Sequence, residues 1–268
     1  MKIKPKGPRS LVAIAAGTAL VLITYVTPMA TLPGTAADLG ADAAARAWLL
    51  SAMPVGLAAG LLAAGVLGDN VGRRRVYLTG LGVLAAGAFG SAVARDSLVF
   101  VAARVLEGVG GAAILACGLA ILANDFPEGR RRSHATSVWG ASVGVGISLG
   151  VVLSAVLGSS HWRESYLAVG AMALLLSWPT VSRIRESRAA NRRRLDAPGL
   201  ALFATAMTLI VCALTRGRDG IDVLTSVLAT AAAVALVGFV VVERRTRDPL
   251  IDPALCGTAT FGPQRWAP

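Results

Sequence analysis

Charge is scarce in this chain. Only 15% of its 268 residues are Asp, Glu, Lys or Arg, and only 15 residues are acidic. A soluble domain averages about 25% charged, so there is too little charge to coat a water-exposed surface. Cysteine is also rare: Cys117, Cys212 and Cys256 are too few and too scattered for a disulfide framework and lack metal-site spacing. The first two lie within apolar runs and read as packing residues. Histidine is limited to His134 and His161, both at the edges of apolar runs. A histidine-based metal site inside those runs is therefore excluded, and no metal or cofactor is expected.

What is abundant is apolar residue: 55% of the chain, with mean hydropathy +0.66. No water-soluble core of this length could hide so much, and the composition is that of a polytopic membrane protein. The net charge of +11 does not indicate nucleic-acid binding, because the basic residues fall in short gaps between apolar runs. Positive loops on one side of a membrane produce the same excess.

A spanning helix needs about 20 mostly apolar residues. Eight runs qualify, at 11–30, 48–67, 76–94, 98–123, 137–157, 166–181, 198–215 and 223–242. The first follows a basic leader, MKIKPKGPRS, but its apolar run exceeds the ~7–15 residues of a signal peptide, so it reads as a retained helix. With eight spans, one side collects Lys2, Lys4, Lys6, Arg9, then Arg73, Arg74, Arg75, then Arg130, Arg131, Arg132. The same side receives Arg183, Arg185, Arg188, Arg192, Arg193, Arg194, Arg244, Arg245 and Arg247. The other side holds only Arg46, Arg95, Arg163, Arg216 and Arg218. By the positive-inside rule both termini are cytoplasmic. The longest polar gap divides the chain into a six-helix bundle (1–181), a basic cytoplasmic linker (182–197), two additional helices (198–242) and a cytoplasmic tail (243–268). Asp196 followed by Pro198 reads as a helix start.

Two segments match Gly-x-Ser-x-Gly: GASVG from Gly140 to Gly144 and GISLG from Gly146 to Gly150. A nucleophilic serine needs a strand-to-helix elbow and a base. Both matches lie within one membrane helix, and no span contains a histidine, so an intramembrane hydrolase is rejected. These glycines are better read as small residues that let helices approach closely. Arg104 and Glu107, in VAARVLEGVGG, carry more information. Ionisable residues inside a span are costly and usually serve an ion or proton pathway or pair with each other. Three residues apart, these two share a helix face, and Glu107 is the one acid well inside a span. In GVLGDNVGRRR, Asp69 sits at the end of the second span, where the helix dipole disfavours an acid. It needs a partner such as Arg73 or another helix's N-terminus, and Gly68 and Gly72 permit a tight turn and close approach.

These residues carry a resemblance. GVLGDNVGRRR resembles the signature between helices 2 and 3 of major facilitator superfamily transporters, with Gly65, Asp69, Gly72, Arg73 and Arg74 matching and Asn70 in place of a basic residue. Arg104, Gly108, Gly110 and Ala112 are similar to the fourth-helix signature, with Glu107 where the family usually has Gln. LPGTAADLG and HWRESY also resemble that family. The helix pair after the basic linker resembles the fourteen-helix drug:proton antiporter branch. In helix 5, however, Gly150 is followed by Val151 where that branch has Gly-Pro, and the branch's helix 1 acid falls at Thr24. The resemblance implies an all-α fold: two three-helix repeats forming a six-helix bundle, plus two peripheral helices. It implies a proton-coupled exporter of small hydrophobic compounds in the lipid bilayer, with Arg104 in proton coupling; Glu107, as the one acid well inside a span, is the residue expected to take the proton. It further implies a cytoplasmic gate at Gly65, Asp69, Gly72, Arg73 and Arg74, and helix interfaces at Gly108, Gly140, Gly144, Gly146 and Gly150. The chain ends after eight helices, so a truncated half is expected, lacking a second six-helix half. The alternative is a non-transporting fragment or a subunit that needs such a half. The preference for Arg (23) over Lys (3) points to a GC-rich bacterial genome and hence to the plasma membrane.

Overall fold

The structure is a computed structural model describing residues 7–126, 129–157, 159–189, 197–217, 220 and 222–245. Residues 1–6 of the leader, Arg192 to Arg194, Asp196, Arg218, and residues 246–268 of the tail with Arg247 and Cys256 lie outside the described residues. Among the described residues eight α-helices follow one another: α1 (Gly7–Asp38), α2 (Ala43–Val71), α3 (Arg73–Val93), α4 (Ser97–Asp125), α5 (Gly129–Leu157), α6 (Trp162–Arg183), α7 (Ala197–Arg216) and α8 (Val223–Arg245). Each is long and apolar enough to cross a membrane, and no strand occurs among the described residues. In lipid a lone chain segment must satisfy every backbone group internally, and the helix does so.

α2 packs on α4 as α5 packs on α1, and α3 packs on α4 as α6 packs on α1, while α3 and α6 meet each other. Exchanging the first three helices for the next three leaves these pairings unchanged, which is the contact pattern of two three-helix repeats. α7 and α8 pack on each other, and α7 leans on α2, where Val66 and Phe239 are buried and Phe203 stacks on Phe239 at 5.3 Å.

Close approach sets the tightest crossing. A Cβ on Gly108 would run into the backbone of Met53, Leu57 and Gly56 in α2, and one on Gly56 would strike the carbonyl of Val105 in α4. Without a hydrophobic drive between helices in lipid, such small-residue contacts are what hold them together.

α1 extends past its apolar run, through Pro28 and Pro33 to Asp38. Proline removes a helical N–H, and the hydroxyls of Thr24, Thr27, Thr31 and Thr35 each donate to the carbonyl four residues earlier, at 2.8–3.1 Å. These hydroxyls are thereby satisfied inside the core. The carbonyls of Thr24 and Met29, whose N–H partners Pro28 and Pro33 lack, remain to be accounted for.

Candidate functional site

Asp96 caps α4 by accepting from the Val99 N–H at 2.9 Å. Two turns on, Arg104 and Glu107 project into the centre of the six-helix bundle, where both side chains are wholly buried. One Arg104 terminal nitrogen (Nη1) donates to Glu107 Oε2. The other (Nη2) donates to the Thr24 carbonyl at 3.1 Å and lies 3.2 Å from Met53 Sδ. The Thr24 carbonyl is the one left without a helical partner by Pro28, so the proline in α1 provides the acceptor that the arginine in α4 uses. Ser91 in α3 donates to the second carboxylate oxygen, Oε1, at 2.6 Å. The ring of Tyr166 in α6 lies 5.7 Å from the guanidinium carbon. The pair is thus tied to α1, α2, α3 and α6. Gly87, one turn before Ser91, leaves the room that the Glu107 side chain occupies: a Cβ there would come within 2.7 Å of Glu107 Cγ.

A buried ion pair is weak evidence of net stability, but removing one partner leaves an uncompensated charge at about 3–5 kcal/mol. The pair therefore joins α4 to the four surrounding helices through one charge-assisted contact.

The second cluster lies at the end of the bundle where Arg73, Arg74 and Arg75 sit, here called the basic end. α2 runs to Val71 and α3 begins at Arg73, so Gly72 alone makes the turn, at φ +134°. Gly68 is inside α2, facing Cys117. Arg73 donates through Nε and Nη2 to Asp69 Oδ1 at 2.9 and 2.7 Å and through Nη1 to the Ala120 carbonyl at 3.1 Å. This supplies the acid at the C-terminus of α2 with its cation and pins the turn to α4.

Three arginines at the start of α3 are opposed by its dipole, and the first turn contains no acid of its own. The compensation comes from the segment after α6. Glu186 accepts from the Arg74 N–H at 3.0 Å and lies 3.6 Å from Arg75 Nε. The backbone of the same segment pairs with the turn, Arg73 N–H to the Ser187 carbonyl at 2.9 Å and Ala189 N–H to the Asp69 carbonyl at 3.2 Å. A Cβ on Gly72 would come within 2.6 Å of the Glu186 carboxylate. Gly65 has open space around it.

The helix 5 glycines divide. Gly146 and Gly150 lie against α1 at Ala19, Leu22, Ile23 and Val26, whereas a Cβ at Gly140 or Gly144 would meet no neighbouring helix within 4 Å. α5 also exposes Val145, Leu149, Val152 and Val156. Sequence reasoning missed Ser91, Tyr166, Pro28 and Glu186. Only Pro28 left a readable signal, since a proline in a span frees the carbonyl four residues before it.

Comparison with known proteins adds relatives to this geometry. The Major Facilitator Superfamily model matches residues 14–243. The MFS-type transporter EfpA of Mycobacterium tuberculosis is 31% identical over 90% of this chain and 46% of its own length. The puromycin resistance protein pur8 of Streptomyces alboniger is 32% identical over 91% of this chain and 49% of its own. The multidrug efflux pump LfrA of Mycolicibacterium smegmatis is 32% identical over 94% and 50%. Among solved structures, the peptide transporter POT superposes with TM-score 0.65 at 14% identity, covering 91% of this chain and 53% of that one. The chain spans about half the length of the curated relatives it matches.

Proposed function

As this chain belongs to the Major Facilitator Superfamily, a family of transporters, we propose that it serves export of small hydrophobic compounds in exchange for protons. In this reading its six-helix bundle works against a second six-helix bundle across a central site. The relatives named for drug efflux and puromycin resistance support the substrate class. The observation that carries proton coupling is the enclosed Arg104–Glu107 pair, the place in the membrane-embedded core where a carboxylate and a guanidinium bind four other helices at once. Glu107 takes the proton, and Arg104 is its counter-ion while it is ionised. When Glu107 is protonated, Arg104 loses its counter-ion and the contacts with Thr24, Met53 and Tyr166 are released to rearrange.

The basic end faces the cytoplasm of a bacterial cell, as its arginines require, and both termini lie on that side. Gly65, Asp69, Gly72, Arg73 and Arg74 form the gate there, with Asp69–Arg73 as its fixed pair and Glu186 as the group that closes over Gly72. Gly108, Gly146 and Gly150 set packing within the bundle. Gly140 and Gly144, with the exposed apolar face of α5, meet the second bundle.

A second reading is a subunit arrangement. In it, this bundle moves substrate only when paired with a separate second half. The experiment is proton-driven efflux of ethidium from reconstituted vesicles, by the chain alone and by the chain co-reconstituted with the second half of a relative. Efflux that a proton gradient drives and Glu107→Gln abolishes is expected. Wild-type efflux from Glu107→Gln overturns the carboxylate assignment. Efflux only with the added half selects the second reading.

A further inference from the structure

α2 and α3 follow each other in the chain, and both pack along α4, yet they have little contact with each other beyond their shared turn. Between them lies an open groove of about 280 Å³ with α4 as its floor. Its walls are Ala63 and Leu67 on α2 and Val76, Thr79 and Val83 on α3, with Leu200 of α7 at the rim. Val76 and Val83 are seven residues apart, so the groove extends roughly 10 Å along α3, from the basic end toward the membrane centre. The lining is almost wholly apolar, and the volume falls below the ~300–1,000 Å³ of pockets that enclose a drug-sized ligand.

The mouth has a charge. Arg75 lies four residues before Thr79 and so shares the α3 face that forms the wall. Its side chain is 63% exposed, and its Nε lies 3.6 Å from Glu186. Backbone pairing with residues 69 and 73 also brings the segment bearing the exposed Arg185 and Arg188 to this end of α3.

A narrow apolar slot that opens into the membrane interior, topped by basic side chains at the membrane surface, matches an acyl chain beneath an anionic headgroup. We propose that the α2–α3 groove is a binding site for an anionic phospholipid of the leaflet at the basic end, one acyl chain in the groove and the phosphate at Arg75. Lipid tails are as apolar as the groove, so transfer into it supplies little selectivity. Discrimination resides in the headgroup, where a basic residue near the surface is worth about fivefold in affinity.

The test uses the full chain reconstituted in phosphatidylcholine vesicles doped with phosphatidylglycerol that carries a photoreactive diazirine on its acyl chain. Cross-linked residues are mapped by mass spectrometry. The expected result is labelling of 76–83 and 63–67, competed about fivefold better by unlabelled phosphatidylglycerol than by phosphatidylcholine. Arg75→Gln is expected to remove that preference while leaving some labelling. Ala63→Phe, which fills the groove, is expected to abolish labelling there without altering helical content or the labelling of α5 and α8. Equal competition by the two lipids, or labelling of 76–83 that persists in a folded Ala63→Phe variant, overturns the proposal. Neither readout depends on transport, so the result stands apart from the fate of the efflux reading.

Discussion

Glu186 is the residue whose removal tests the basic-end architecture most directly. In Glu186→Ala the Arg74 N–H at the start of α3 loses the carboxylate at 3.0 Å that caps it. Loss of a side-chain cap costs about 0.5–2 kcal/mol, typically near 1. The contact with Arg75 is longer, at 3.6 Å, and Arg75 is 63% exposed, so solvent screening limits it to about 0–1 kcal/mol. Together the strap over the turn is weakened by about 1–2 kcal/mol, or about 5–30-fold in the ratio of closed to open. Hydrogen exchange reports that opening, because the N–H groups of Arg73, Arg74 and Ala189 are backbone donors between the turn and the segment after α6. Their exchange should accelerate about 5–30-fold in Glu186→Ala, while that of buried Ile114 in mid-α4 is unchanged. Gly72→Ala approaches the same strap from the other side: its Cβ lands on the Glu186 carboxylate, and φ +134° is strained for any side chain. It should accelerate the same amides. Unchanged exchange in both variants would refute the strap as an energetic unit and leave it a mere proximity of two loops.

Three further outcomes follow from the geometry. Pro28→Ala restores an N–H that competes with Arg104 for the Thr24 carbonyl. Because a carbonyl has two lone pairs, a loss near 1 kcal/mol is expected, seen as roughly fivefold slower proton-driven efflux by a normally helical protein. Gly108→Ala forces α4 off the α2 backbone, where no side chain can rotate aside; about 1–3 kcal/mol of destabilisation is expected, measured as a lower unfolding midpoint in detergent. At the end of the bundle opposite the basic one, the Thr225 hydroxyl and N–H, joined by the Arg216 guanidinium, hold the Asp222 carboxyl well below the usual carboxylate range. A depressed folded-state value means the cap on α8 is fully present above the ordinary carboxylate pKa and is lost as pH falls through the lowered one. A spin label at Val227 should stay immobile from neutral pH down past pH ~4 and gain mobility only in stronger acid, whereas Asp222→Ala, which has no capping oxygen, should be mobile throughout.

The eight spans were legible because each is a long apolar run closed by charge or a turn residue, and the membrane demands that pattern. The mutual reach of Arg104 and Glu107 was legible because a spacing of three fixes a shared helix face. Periodicity stops there: it says which residues share a face but not which helix that face meets. Gly140 with Gly144 and Gly146 with Gly150 have the same spacing of four in the same helix. Only the crossing of α5 over α1 assigns the second pair to a contact and leaves the first open. The partners of the buried pair were beyond the sequence for the same reason. Ser91 is 16 residues from Glu107, and the Thr24 carbonyl is 80 from Arg104, distances that only packing closes. Glu186 lies among arginines in the linker, and nothing in that local pattern marks it out. The α3 N-terminus needed a negative group that its own first turn does not contain, and the fold brought this one from 112 residues away. The sequence alone determined which segments cross the membrane, which faces carry charge and which end is basic, because local chemistry against lipid decides those. Tertiary structure decided which backbone groups are left without partners and which distant side chains satisfy them, because that depends on where helices cross.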